Sequence, residues 1–299
     1  MYNEIASNKR RTGILIALFF VLIIGIGYAA SLYSGTDPLP TIAIAALFAF
    51  GGAMFSYFAG DKVALATAGA EKITATSNQY VYRLVENLCI TAGLQKTPDV
   101  YIIPDPAINA FATGRDPEHA SIAITQGAID KLENEELEGV IAHELSHIKN
   151  YDIRLMTVVI ILVGSVVLVA DLFRWGGFRG RRSNDSDSGG GNILMIVGIV
   201  LIILSPIFAQ LIQLAISRRR EYLADASGAL LTRFPEGLAR ALEKIRDTNQ
   251  PMVRRNSATA HLYLDSPFRT AGKKIGGLFA THPPVDERIK ILRDMQNHA

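Results

Sequence analysis

The sequence has little charge and almost no cysteine. Lys, Arg, Asp and Glu together make up 19% of its 299 residues, and the formal net charge is only +2. The single cysteine, Cys89, excludes an internal disulfide and suits a reducing compartment. Basic residues interleaved with aromatic ones are also lacking, so nucleic acid is not an expected partner.

Charge is missing from particular stretches. Residues 12–33, 41–60 and 193–217 contain no charged residue, and residues 155–173 contain only Asp171. A helix needs about 20 apolar residues to cross a bilayer. Three runs therefore qualify as transmembrane helices, the run at 155–173 is borderline, and a lipid bilayer is an expected partner.

The basic residues predict which way the first two spans run. Lys9, Arg10 and Arg11 precede the first span, while the loop at residues 34–40 has no Lys or Arg. Because basic residues favour the cytoplasmic side, the N-terminus and residues 61–154 are expected there. Four arginines in the loop at residues 174–192 oppose a full crossing by residues 155–217, and this point stays open.

A cleaved signal peptide at residues 9–31 is the alternative to the first anchor. Its basic start and the small residues Ala29, Ala30 and Ser31 fit such a signal. The apolar segment is long for one, however, and a second full span follows directly. An uncleaved anchor is therefore favoured.

One short motif, His143-Glu144-Leu145-Ser146-His147, indicates chemistry. Residues four apart share a helix face, so both imidazoles can bind one metal ion, with Glu144 beside it as general base. Polar and acidic residues at 133–136, with Asn134 as a candidate N-cap, and apolar residues at helical spacing predict that helix. The alternative is two ordinary histidines on a partly buried helix.

A catalytic zinc ion takes three protein ligands and keeps one open position, so a third donor is needed. Glu221 is the best candidate, and Asp225 lies one helical turn beyond it. Asp225 can then accept the second ring N–H of a ligating histidine and fix its orientation. Alone, the two acids would be an ordinary surface pair; the upstream motif favours the metal role.

The remaining elements predict an α+β fold, mainly α with a small antiparallel β-sheet. A helix is expected from Lys62 to about Leu94, and short strands at Val100–Ile103, Ile108–Thr113 and Ser121–Thr125. An edge strand of such a sheet can hold an extended peptide, and Asn109, Ala110 and Phe111 are candidates to line that site; plain strand core is the alternative. The helix after Glu221 should break near Pro235, and a last one should begin near Val285.

The separated motifs resemble those of HtpX-type membrane metalloproteases and, more distantly, CAAX prenyl endopeptidases. The resemblance covers most of the chain. It rests on the paired N-terminal spans, two further apolar runs, and these motifs: Asn109 to Gly114, His143 to Asp152, Arg219 to Asp225, and Thr281 to Arg288.

The resemblance implies a zincin-like catalytic domain anchored by up to four transmembrane helices. Its expected parts are a tail with two spans (1–60), a first catalytic part with the H-E-x-x-H helix (61–154), two further apolar helices with a flexible loop (155–217), and a second catalytic part (218–299).

The resemblance also implies the site and its task. His143, His147 and Glu221 would bind one Zn²⁺ per chain, with Glu144 as general base and Asp225 orienting a histidine. Asn109, Ala110 and Phe111 would lie beside the substrate backbone, and His282 would lie near the cleft. Misfolded membrane proteins would be the polypeptide substrates, cut in quality control and stress response at the cytoplasmic face of the bacterial inner membrane.

Two other classes of function remain as alternatives. A membrane holdase or scaffold would bind unfolded segments without cutting them, and would not need Glu144. A zinc-handling membrane protein would need charged residues or histidines inside its spans, where the sequence has only Asp171. The sequence does not identify the oxyanion donor among His282, Tyr222 and Arg218–Arg220, the substrate, the oligomeric state, or how activity is kept latent.

Overall fold

Two long helices open the chain. The structure is a computed structural model that describes residues 2–159, 218–248, 250–254, 256, 259–267 and 283–297. Helices α1 (Tyr2–Ser34) and α2 (Pro38–Ala68) are long and apolar enough to cross a membrane, as the first two predicted spans require. Val21 and Leu47 are 70% and 72% exposed, as expected for side chains that face lipid. Most of the runs at 155–173 and 193–217 lies outside the described residues.

Helix α2 continues past its apolar part into the rest of the molecule. Its last turns pack Ala64, Leu65 and Ala68 into a core with Phe111 and Tyr263. It ends at Gly69, whose φ of +67° favours glycine and stops a helix. The prediction of one helix from Lys62 to Leu94 is therefore wrong, because strand β1 (Glu71–Lys72) and a turn precede helix α3 (Gln79–Ala92).

The predicted sheet is present but it is mixed, not purely antiparallel. Strands β2 (Asp99–Ile103), β3 (Ala110–Gly114) and β4 (Ala120–Thr125) join β1 in the order β1-β2-β4-β3. The chain reverses after β2 and again after β3, so β4 runs parallel to β2 while pairing antiparallel with β3. Among the described strands, this leaves β3 at the edge beside the motif helix.

The motif helix, α5 (Asn134–Lys149), lies at the centre of the core after the short helix α4 (Gln126–Lys131). It begins one residue earlier than predicted: Glu133 and not Asn134 is the N-cap. The backbone N–H of Glu133 donates to Glu136 Oε2 over 2.8 Å. The carboxylate of the third helical residue, Glu136, thus accepts from the N–H of the N-cap residue. If Asn134 were the N-cap, the third helical residue would be a leucine, and the N–H of the N-cap would lack this partner.

Three helices pack around α5 or behind it. They are α6 (Arg218–Thr232), α7 (Pro235–Thr248) and the predicted final helix α8 (Val285–Asn297), with the expected break at Pro235. Contact with α5 is close: a Cβ at Gly228 of α6 would stand 3.0 Å from the backbone nitrogen of His143. Glycine at this position lets the third predicted ligand approach the first two.

A sharp turn follows α5. Asn150 caps the helix, and Tyr151 has a φ of +60°, which costs a residue with a side chain about 1–3 kcal/mol. Lys9 Nζ lies 4.4 Å from the centre of the Tyr151 ring. The chain is helical again over residues 152–159, and the turn brings Asp152 back against α5.

Candidate active site

The structure brings the three predicted metal ligands together. His143 and His147 come from consecutive turns of α5, and Glu221 comes from the first turn of α6. The two Nε2 atoms are 3.2 Å apart, and the Glu221 carboxylate oxygens lie 3.9 Å from His143 Nε2 and 3.7 Å from His147 Nε2. All three side chains are buried. Three donor atoms thus converge on one point.

This donor set fits a zinc ion. Two donors each about 2.0–2.1 Å from a tetrahedral ion stand about 3.3 Å apart, close to the observed separations. Two imidazole nitrogens and one carboxylate oxygen are also a set that catalytic zinc uses while keeping a position open. Both imidazoles are turned so that Nε2 faces the shared point, because the Nδ1 atom of each faces a separate carboxylate.

His147 is held by Asp152. Its Nδ1 lies 2.9 Å from Asp152 Oδ2, which is buried. Burial acts to lower the pKa of His147, but the hydrogen bond to Asp152 and the charge of Glu221 together raise it to about 9. The carboxylates thus create a place for positive charge around this imidazole, and a bound cation would take the place of the proton.

His143 has the same kind of support from Asp225. Its Nδ1 lies 2.9 Å from Asp225 Oδ1, as the spacing of Glu221 and Asp225 predicted. Arg288 of α8 is fully buried and donates to both oxygens of Asp225, over 2.8 Å from Nε and 2.7 Å from Nη2. Burial would raise the pKa of Asp225, but Arg288 and His143 lower it to about 2. Asp225 is therefore ionised while it faces His143.

Glu144, the predicted general base, follows His143 on α5 and is buried. The preceding residue, His143, faces the shared ligand position. Burial raises the cost of a carboxylate charge, and a nearby cation offsets that cost, so this is a suitable environment for a group that exchanges a proton. The role of Glu144 stays a prediction.

The predicted substrate residues lie on or next to β3 and are buried. The Asn109 side chain donates to the Asp265 carbonyl over 2.9 Å, and Phe111 packs edge-on against Tyr263 at 5.0 Å. The N–H of Leu264 donates to the Ala110 carbonyl, so the chain itself uses the first outward group of this edge. Since the outward groups alternate along a strand, Ala112 presents its backbone to the same side. Substrate pairing along β3 remains a prediction.

The candidate oxyanion donors differ in where the structure places them. His282 lies outside the described residues. Arg220 is buried, with Nε 3.8 Å from Asp152 Oδ1. Burial raises the pKa of the Tyr222 hydroxyl, and the hydrogen bond to Glu287 raises this pKa further. His261, which belongs to none of the motifs, is buried with Nε2 3.0 Å from the Met156 carbonyl oxygen.

Sequence reasoning missed three residues that support the ligands: Asn8, Asp152 and Arg288. Asp152 and Arg288 belong to the motifs quoted above, so their chemistry was visible, but no spacing rule connects Arg288 with Asp225. Asn8 precedes the first span and belongs to no motif. Its side chain reaches both Asn150 and Asp152.

Two histidines and a further glutamate on a helix beside a small sheet, with Glu221 from a second helix completing a buried His-His-Glu set, are typical of a metallopeptidase centre. Residues 75–296 match the family model described as Peptidase family M48. The chain belongs to this family and is a membrane-associated metalloprotease.

Proteins named protease HtpX homolog resemble the chain over nearly its whole length. The one from Caldanaerobacter subterraneus subsp. tengcongensis is 43% identical over 298 residues, covering 99% of this chain and 98% of that protein. The one from Tropheryma whipplei (strain Twist) is 44% identical over 302 residues, covering 99% of each. The predicted HtpX-type resemblance is confirmed.

A solved structure supports the fold. The crystal structure of S. mikatae Ste24p matches with a TM-score of 0.50 and 16% identity, covering 98% of this chain and 67% of that one. At this identity the likeness concerns the fold alone. It confirms a mainly helical fold with a small sheet.

Proposed function

We propose that this protein is a zinc-dependent endopeptidase of the bacterial cytoplasmic membrane that cuts misfolded or damaged membrane proteins on the cytoplasmic side. The observation that carries the proposal is the convergence of His143, His147 and Glu221 on one buried point with Glu144 beside it. The word protease in the relatives' name supports polypeptide substrates, and the basic residues before the first span support the orientation.

The residues of the chain have distinct tasks in this mechanism. Zinc, when bound by His143, His147 and Glu221, would supply Lewis acidity toward the attacking water and the scissile carbonyl. Glu144 accepts the proton of the water as it attacks and delivers it to the departing amine. Asp152 and Asp225 hold the two imidazoles so that both Nε2 atoms face one point. Burial of the site excludes bulk water.

In this proposal the peptide substrate pairs with the backbone of Ala112 on the β3 edge, between the groups that Leu264 and Thr157 already use. Backbone hydrogen bonds to a strand give affinity with little demand on sequence, which suits an enzyme for misfolded proteins. The strand packs against α5, so a peptide held there passes beside the ligands. Helix α2 contacts β3 beyond its apolar part, so we expect this edge to lie near the membrane surface, where a damaged membrane protein would be met.

The test uses full-length protein in detergent, stripped of metal and then given zinc. Cleavage of an unfolded test protein is followed for wild type, Glu144→Gln and Glu135→Gln. Glu135 is an exposed glutamate in the first turn of the same helix, so its substitution controls for the loss of a charge from α5. We expect zinc-dependent cleavage by wild type and Glu135→Gln, and a loss of about 10²–10⁴-fold in Glu144→Gln.

Two results would contradict the proposal. Equal cleavage by wild type and Glu144→Gln would mean that Glu144 is not the base. Zinc bound at one per chain without cleavage by any variant, but with retention of the unfolded protein, would favour a holdase.

A further inference from the structure

Helix α1 extends beyond the apolar stretch and reaches the end of the motif helix. Asn8, four residues before the uncharged run begins, is only 2% exposed. Its side-chain nitrogen donates two hydrogen bonds, one to the Asn150 carbonyl over 3.0 Å and one to Asp152 Oδ1 over 2.6 Å. A side chain of the membrane anchor is thus part of the interior of the catalytic domain.

The carboxylate that Asn8 contacts is the one that holds His147. Asp152 gives Oδ1 to Asn8 and Oδ2 to His147 Nδ1, 2.9 Å away. A carboxylate rotates about one bond, so fixing one oxygen also fixes the other. The three side chains form a continuous chain of hydrogen bonds from the anchor to an imidazole of the site.

The turn between α5 and Asp152 also depends on α1. Tyr151 has a left-handed backbone that a tyrosine adopts only when its surroundings hold it there. Asn8 holds the carbonyl before it, and Lys9 Nζ lies 4.4 Å from the Tyr151 ring. Two successive residues of α1 therefore contact the two residues that direct Asp152 back toward His147.

We propose that Asn8 is a positioning residue of the active site: it orients Asp152, and through it His147, so that the seating of the anchor helix governs how tightly the site retains its metal. The proposal rests on the proposed function in that His147 is a metal ligand. It assigns to α1 a part in the chemistry in addition to membrane attachment.

The variants Asn8→Leu and Asn8→Asp test this role at nearly constant side-chain size. Leucine removes the donor, and aspartate replaces it with an acceptor that faces Asp152 Oδ1. Ser7→Asp is the matched control, because it adds the same charge one residue earlier on the same helix, at a half-buried position. Full-length protein in detergent is loaded with zinc, and the rate of zinc loss to a coloured chelator is measured.

We expect Asn8→Leu to lose zinc roughly tenfold faster than wild type, the lower end of the 10–100-fold effect of disturbing a ligand's hydrogen-bond partner. Asn8→Asp should lose zinc faster still, and Ser7→Asp should match wild type. Thermal unfolding of the metal-free proteins shows whether the variants fold.

A swap separates positioning from general destabilisation. In Asn8→Asp combined with Asp152→Asn, donor and acceptor are exchanged, and the amide oxygen at position 152 can still accept from His147. We expect the double variant to retain zinc better than Asn8→Asp alone, whereas a purely structural role for Asn8 predicts defects that add.

Wild-type zinc retention in both Asn8 variants, or additive defects in the double variant, would overturn the proposal while leaving the proposed function intact. Unchanged zinc retention in His147→Ala would instead overturn the ligand assignment, and the positioning role with it.

Discussion

Arg288 shows how much the site depends on single buried charges. It is fully buried, donates two hydrogen bonds to Asp225, and has Nη1 3.9 Å from Glu221 Oε2. Such a pair adds little stability compared with apolar residues, but removing one partner leaves an uncompensated charge in the interior. The arginine therefore matters most through what its absence would do to Asp225.

We predict that Arg288→Leu lowers the free energy of unfolding by about 3–5 kcal/mol. It should also weaken zinc binding, since Asp225 would no longer be held toward His143. Thermal unfolding with and without zinc, together with metal analysis, measures both effects. Arg288→Lys should restore only part of the loss, because an ammonium group does not bind a carboxylate through two parallel hydrogen bonds.

The control for Arg288 is Arg246→Gln. Arg246 also bonds two carboxylates, those of Asp247 and Asp286, but it is itself partly exposed and both of its partners are exposed. Exposed ion pairs contribute about 0–1 kcal/mol, so this variant should unfold almost as wild type does. Equal losses in the Arg288 and Arg246 variants would show that burial is not what makes Arg288 important.

At the scale of elements, the position of Glu221 depends on how closely helices approach α5. A Cβ at Gly139 of α5 would stand 2.7 Å from the backbone nitrogen of Leu238 in α7, closer than two such atoms ever lie. Helix α6 comes almost as near to α5, since a Cβ at Gly228 would stand 3.0 Å from the backbone nitrogen of His143. The helices must move apart to admit a methyl group at either glycine.

We predict that Gly139→Ala destabilises the protein by about 1–3 kcal/mol, although alanine is the better helix former. Gly51→Ala in α2 is the matched control, because a Cβ there has nothing within 4 Å. It should leave the thermal midpoint unchanged or raise it slightly. A Gly139 variant as stable as the Gly51 variant would mean that α5 and α7 can separate at little cost.

The elements that the sequence predicts well are those with a local signal. Helix α5 has capping acids, helical apolar spacing and the two histidines, and Glu221 and Asp225 sit one turn apart, so both halves of the site could be anticipated. Strand β1 is only two residues long and has no period to detect. The parallel pairing of β2 and β4 follows from the order of the strands in space, which spacing along the chain does not contain.

Contacts between residues far apart in the sequence have no local sequence pattern that could predict them. Asn8 and Asp152, or Arg288 and Asp225, meet only because helices far apart in sequence pack together. Asn8 lies within α1, just before the apolar run, where the sequence offers no reason for it to be buried. Its link to a metal ligand depends on the left-handed turn at Tyr151, a conformation that the residue type does not favour.

For the whole molecule, exposed apolar side chains occur in two settings. Leu47 of α2 and Leu230 of α6 are 72% and 73% exposed, yet Leu47 belongs to a span of the anchor and Leu230 to the catalytic half. If α2 lies in lipid, the first side chain contacts acyl chains while the second contacts water. Equal exposure in the protein then corresponds to different chemical surroundings.

Cysteine labelling distinguishes these surroundings. The natural thiol, Cys89, is buried, and burial together with the charge of Glu86 raises its pKa to about 12, so it should react slowly at pH 7. In sealed inverted vesicles, we predict that a membrane-impermeant maleimide labels Leu230→Cys and not Leu47→Cys. In vesicles of the native orientation it should label neither, since the proposed orientation places residue 230 in the cytoplasm.

Each alternative has its own labelling pattern. Rapid labelling of Leu47→Cys in sealed vesicles would mean that α2 is not embedded in lipid, and the anchor would then have to be α1 alone. Labelling of Leu230→Cys only in vesicles of native orientation would reverse the topology and place the ligands outside the cytoplasm. Both variants must label fully after denaturation in detergent, because only then does protection in the vesicle report the membrane and not an unreactive thiol.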